Sequence, residues 1–121
     1  MDKTMQRLIT SLIVGISVSF SSALLAAGVN RAQFTTDIID REPVDEIYSM
    51  ATDNQQVKFF SEIIDMQGQS VTHQWIFQDQ VMFEKTFDIG GPRWRLWSSK
   101  TLQPGWSGQW TVNVLDAERN L

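Results

Sequence analysis

From Ala32 onward, apolar and polar residues trade places in short runs, cut roughly every ten residues by Gly, Pro or Asp/Asn, the pattern of half-buried strands joined by turns. The runs Ala32 to Asp40, Val57 to Met66, Val71 to Phe77, Val81 to Ile89, Arg93 to Ser98 and Gly108 to Asp116 are predicted as strands. Arg41-Glu42-Pro43 interrupts the first, because proline offers no ladder donor and restricts the residue before it. Val44 to Ala51 leaves a strand and one helical turn both open, and Thr52-Asp53-Asn54 reads as a turn. The set predicts an all-β fold, a small antiparallel β-sandwich of the immunoglobulin-like kind.

The first residues break this pattern. Lys3 and Arg7 form a basic head, Leu8 to Leu25 is apolar and small, and Ala26-Ala27-Gly28 closes with small side chains. That is the layout of a secretory signal peptide, expected as a helix over residues 1–28, with the β domain over 29–121. The alternative is an uncleaved anchor, but the serines and glycine of the run suit a membrane span poorly. The domain is therefore expected in the periplasm or secreted, or else anchored to the inner membrane by its leader.

Composition narrows the chemistry. The whole chain carries a net charge of −4, and without Asp2, Lys3 and Arg7 it would hold eight basic against thirteen acidic residues, a net charge of −5. An acidic domain without a Lys/Arg tract is a poor partner for nucleic acid or anionic lipid. Cysteine is absent, which removes disulfides, thiol nucleophiles and thiolate metal sites together. Seven Phe and five Trp supply enough aromatic mass for a core in a chain of this length.

Two short turns fix an expected register. With Gln67-Gly68 as a hairpin loop, Ile64 faces Val71, Glu62 faces His73 and Phe60 faces Trp75; the next loop is Gln78-Asp79 or Asp79-Gln80, of the same parity, and with Gln78-Asp79 Trp75 faces Met82 and His73 faces Glu84. A polar row Glu62, His73, Glu84 then crosses one face beside Phe60, Trp75 and Phe77, while Phe59, Ile63, Ile76, Val81, Phe83 and Phe87 form the core on the other. A three-residue second loop would flip the last strand. Such a row can suit a divalent metal, but one histidine without further ligand spacing favours a charge-compensated stripe that raises the histidine pKa. No metal or cofactor is expected.

Four of the tryptophans lie between Gly90 and Trp110. In Arg93 to Ser98, Trp94 and Leu96 share one side of the strand, and Arg93, Arg95 and Trp97 the other. If Trp94 and Leu96 close the core, Arg95 and Trp97 form an outward pair suited to cation–π stacking and to partner recognition. Gln103-Pro104-Gly105-Trp106 reads as a type II turn, and Trp110, Val112 and Val114 as a half-buried closing strand. Ser98 and Lys100 could be read as a hydrolase dyad, but no third orienting group accompanies them. The carboxylate pairs Asp37/Asp40 and Asp45/Glu46 predict no cleft. Gly90-Gly91 precedes a strand, so it is a turn and not a phosphate loop.

Arg31-Ala32-Gln33-Phe34-Thr35, Arg41-Glu42-Pro43-Val44-Asp45, Val71-Thr72-His73-Gln74-Trp75, Arg93-Trp94-Arg95, Trp97-Ser98-Ser99-Lys100 and Gly108-Gln109-Trp110-Thr111-Val112 resemble, in this order, the landmarks of the bacterial "domain of unknown function 2914" family. The resemblance runs from Arg31 to Leu121. It departs from the family at Gln78-Asp79, where an Asn-Gly turn is usual. It implies a compact β domain, alone behind a leader or appended to other segments, with no activity to transfer.

Three functions fit the sequence. The leading expectation is a non-enzymatic envelope module that binds a protein through Arg93, Arg95 and Trp97. The second is a glycan-binding module with Trp97 and Trp106 as a stacking platform. The third, disfavoured by the lone histidine and absent cysteine, is a small hydrolase or metal-dependent enzyme.

Overall fold

The computed structural model describes the backbone of residues 17–20 and residues 28–121. The strands are β1 (Ser17–Phe20), β2 (Val29–Thr35), β3 (Ile38–Ile39), β4 (Glu42–Pro43), β5 (Ser49–Ala51), β6 (Gln55–Ile64), β7 (Ser70–Phe77), β8 (Gln80–Asp88), β9 (Arg93–Leu102) and β10 (Gly108–Leu115). They form one sheet in the order β5-β1-β10-β7-β8, a second in the order β2-β6-β9, and the small β3-β4 hairpin. The pairings are antiparallel except β1 with β10. The expected all-β fold is present. Of the expected leader helix, residues 17–20 are extended, Gly28 leads into β2, and the remainder lies outside the described residues.

The two larger sheets face each other across a core in which side chains alternate in along each strand. Val57, Phe59, Ser61 and Ile63 point inward from β6, Val71, His73, Trp75 and Phe77 from β7, and Trp110, Val112 and Val114 from β10; all are buried. The aromatic rings pack within and between the layers: Phe34 meets its sheet neighbour Phe59 edge-on at 4.9 Å and Trp75 of the opposite sheet at 5.8 Å, while Phe77 stacks on its sheet neighbour Trp110 at 4.7 Å. Gly108 makes room for that stack, because a Cβ there would lie 2.6 Å from Phe77 Cε1.

Several expected features are corrected by this arrangement. β6 and β7 are not a hairpin, for β6 pairs with β2 and β9 while β7 belongs to the opposite sheet. Gln67 and Gly68 do occupy the centre of a turn, closed by Gln69 N–H donating to Met66 O at 3.0 Å, with Gly68 at φ 83 as a type II turn demands. Asp65, at φ 56, breaks the ladder just before it, and its N–H turns to Pro92 O at 2.8 Å. The chain is thereby redirected across the core.

The β7–β8 loop is Gln78-Asp79, one of the two expected placements, both residues lying at positive φ in the manner of a type I′ turn. A bulge between Trp75 and Ile76 then shifts the register, so that Trp75 faces Phe83 and His73 faces Lys85 instead of Met82 and Glu84. It also divides the expected core. Phe83 and Phe87 share the side of Trp75 and Val71, whereas Ile76 and Val81 point away, and Val81 is exposed. Trp110 is buried core, but Trp94 is 38% exposed at the end of the sandwich, where it lies against Gly90 and Gly91. Gln103 to Trp106 makes a 3-10 turn without positive φ at Gly105, not a type II turn.

Candidate functional site

The outer face of the three-stranded sheet follows from the same alternation that fills the core. With Phe59, Ser61 and Ile63 inward, Phe60 and Glu62 of β6 must face out, and the register sets Arg31 of β2 and Arg95 of β9 on either side of Glu62. The next row is Gln33, Phe60 and Trp97. Arg93, Arg95 and Trp97 therefore occupy one side of β9, away from Leu96 and Ser98.

Glu62 is the floor of this face. It is only 2% exposed. Its carboxylate accepts from Asn30 Nδ2 at 2.7 Å, Arg31 Nε at 3.2 Å and Nη2 at 3.1 Å, and Arg93 Nε at 2.5 Å. A buried charge is tolerated only when paired and hydrogen-bonded in this way. Hydrogen bonds from Arg31 lower its pKa to about 2, against the desolvation that burial imposes. Arg31 also spreads over the Phe60 ring at 5.0 Å, screening it from solvent.

A second carboxylate comes from above. The β3–β4 hairpin turns at Asp40 (φ 54) and Arg41 (φ 64) and folds Glu42 back over the face. Glu42 accepts a bidentate pair from Arg31 Nη1 and Nη2 at 2.8 and 2.9 Å and a further bond from Arg95 Nη1 at 2.6 Å, with Arg93 Nη2 at 3.8 Å. Bonds from Arg31 and then Arg95 lower its pKa to about 2. The base of the hairpin is knotted by Asp45, which accepts from Thr35 Oγ1 at 2.6 Å, Thr36 N–H at 2.8 Å and Thr36 Oγ1 at 2.6 Å.

The remaining sequence candidates are dispersed. The row Glu62, His73, Glu84 does not form: Glu62 lies on the outer face of one sheet, and Glu84 holds Gln74 and Arg119 on the outside of the other. His73 is fully buried between the sheets, its Nε2 bonded to Ser61 Oγ and its Nδ1 to Ser98 Oγ, each at 2.8 Å. Phe59 and Phe87 close on it edge-first at 5.0 and 5.1 Å. Burial, followed by repulsion from Lys85, lowers its pKa to about 3, the reverse of the raised value expected beside carboxylates. Ser98 also accepts from Trp75 Nε1 at 2.9 Å. Lys100, its supposed partner, instead lies over the Trp106 and Phe83 rings at 5.0 and 5.6 Å.

Trp97 and Trp106 are not brought together. Trp97 faces outward, whereas Trp106 packs on Trp110 at 5.7 Å, on the side of β9 that carries Lys100. The Arg95 guanidinium is directed to Glu42. Sequence reasoning missed Arg31, Glu42 and Asn30 as parts of the face. The available signal was Asp40-Arg41 as a two-residue loop between Ile38-Ile39 and Glu42-Pro43, hidden by reading Arg41-Glu42-Pro43 only as an interruption.

Among the described residues, no group of three or more His, Cys, Asp or Glu side chains could hold a metal ion, and no helix is long and apolar enough to cross a membrane. No curated protein and no solved structure matches the chain. The motifs H-x-W, R-W-R, S-S-K and G-x-W-x-V all fall within one segment, and that segment, residues 68–121, matches the family described as "Protein of unknown function (DUF2914)", the family that the sequence resembles.

Proposed function

We propose that the chain is an exported, immunoglobulin-like module of the bacterial cell envelope that binds a protein partner, without catalysis, through the outer face of the β2-β6-β9 sheet. The observation that supports this most is the convergence of three guanidiniums, from Arg31, Arg93 and Arg95, on two carboxylates at the outer face of a sheet in an acidic chain. Arginine and tryptophan are the residues that most often anchor interfaces, and Trp97 continues the same side of the strand. Ile39, Val44 and Tyr48, all exposed, add apolar area on the segment that covers this face. A catalytic reading finds less support, since the serine–histidine contacts are sealed in the core.

The test is site-specific photo-cross-linking in the periplasm, with the reactive side chain placed at Trp97 or, as a control, at Val81 on the opposite sheet. A single protein captured from position 97, absent from position 81 and lost in an Arg93→Glu background, is the expected result. Capture of glycan would favour the carbohydrate reading instead. Equal capture from both positions, or none, would overturn the proposal.

A further inference from the structure

The two carboxylates of the arginine cluster are held in different ways. Glu62 is buried in the central strand and fixed by three neighbours. Glu42 has a side chain 41% exposed and rides on a hairpin only two residue pairs long. The knot at Thr35, Thr36 and Asp45 holds the foot of that hairpin on β2, so the Glu42 side chain above it is tied to the sheet only through its guanidinium partners. If Glu42 leaves, three guanidiniums face the single charge of Glu62, and the vacancy is shaped for another carboxylate, with a bidentate fork from Arg31 and one donor from Arg95. Even with Glu42 in place, three cations stand against two anions, and the Arg93 side chain is 57% exposed.

We propose that Arg31, Arg93 and Arg95 form a carboxylate-binding cradle, that Glu42 occupies it in the free protein, and that an acidic side chain of a peptide partner takes its place. This rests on the reading that the outer face binds a protein. The exposed Ile39 and Val44, which flank the Asp40-Arg41 turn and the Glu42-Pro43 strand, suit the apolar residues that would border such an acid. Self-occupancy lowers apparent affinity by the fraction of time the cradle is filled, so removing the occupant strengthens binding.

The experiment titrates the full chain with hexaglutamate, following the arginine Nε–Hε resonances by NMR, in wild type, Glu42→Ala and Glu42→Gln. Binding about tenfold tighter or more is expected in both variants, with shifts at Arg31 and Arg95, and adding Arg95→Ala should abolish the gain. The Gln variant keeps the hairpin's shape, and amide spectra matching wild type establish that both variants are folded. An unchanged affinity, or a gain that survives Arg95→Ala, overturns the cradle. So does equal or tighter binding of inorganic phosphate or of an oligogalacturonate, because the site would then not select a peptide acid. Failure of the cradle with capture still seen from position 97 leaves the protein-binding face standing. Success of the cradle with no capture would instead remove the partner and keep the anion site.

Discussion

Lowering the pH from 7 to 5 is expected to cost the folded chain about 2 kcal/mol through His73 alone. The imidazole is buried between Ser61 and Ser98, two hydroxyls that satisfy a neutral ring with one donor and one acceptor but offer no counter-charge to an imidazolium. Its pKa is lowered from 6.5 to about 3 in the fold. Between those values the unfolded chain takes up a proton that the folded chain refuses. Stability is therefore complete above the unfolded pKa and declines by about 1.4 kcal/mol per pH unit as the pH falls through this window, with a total on the order of 5 kcal/mol. Glu42, Glu62 and Glu84, lowered from 4.5 to about 2, act in the same direction but mainly below about pH 5. The interval from 7 to 5 thus isolates the histidine. Urea denaturation at pH 7, 6 and 5 should show the decline in wild type and a flat profile in His73→Gln. A flat wild-type profile, or an equal slope in the variant, would show that the ring is not buried neutral.

Trp75→Ala is expected to cost roughly 3–5 kcal/mol, the range for emptying a buried aromatic site. Trp75 has no exposed surface and lies edge-on to Phe34 at 5.8 Å and to Trp110 at 6.4 Å, so its removal opens a cavity where the two sheets meet. It also takes one donor from Ser98, which is shared with His73. For a domain of this size such a loss lowers the melting temperature by about 12–40 °C. Trp75→Phe keeps most of the ring and loses the N–H, so about 1–2 kcal/mol is expected from it. Chemical denaturation followed by circular dichroism measures both. A cost for the alanine variant near that of the phenylalanine variant would mean that the site collapses without a cavity.

The strands were legible because period-two alternation depends only on local burial. The outward placement of Arg93, Arg95 and Trp97 follows from it directly. What is next to what was less legible. Gln67-Gly68 looks the same from sequence whether the flanking strands pair or part, and the deciding feature is the positive φ at Asp65. The bulge at Trp75 and Ile76 likewise leaves no turn residue to announce it, yet it moves Glu84 from the expected place opposite His73 to a place opposite Gln74. Glu62 was visible as an acid in a strand. Its three partners come from positions about 30 residues away on either side, which no short-range pattern encodes. Glu42 was obscured because the proline beside it reads as a breaker, although Pro43 here sits in an edge ladder that does not need its missing N–H.

The assignment of β9 to the sheet of β2 and β6 bears on how the molecule can be cut. Residues 68–121 contain β7, β8 and β10, which are neighbours, but also β9, whose ladder runs along β6 from Gln55↔Leu102 to Ile64↔Arg93. Severed at residue 68, β9 would lose its ladder to β6, and the core side chains of β7 and β10 would lose Phe34, Phe59 and Ile63 opposite them. The recognisable segment is thus one part of an interlocked pair, and expressed alone it is expected to melt without a cooperative transition. Mixing it with a peptide spanning residues 29–67 should restore one, as two fragments complement each other through a shared core, and a sharp melt of the segment by itself would show that it folds independently.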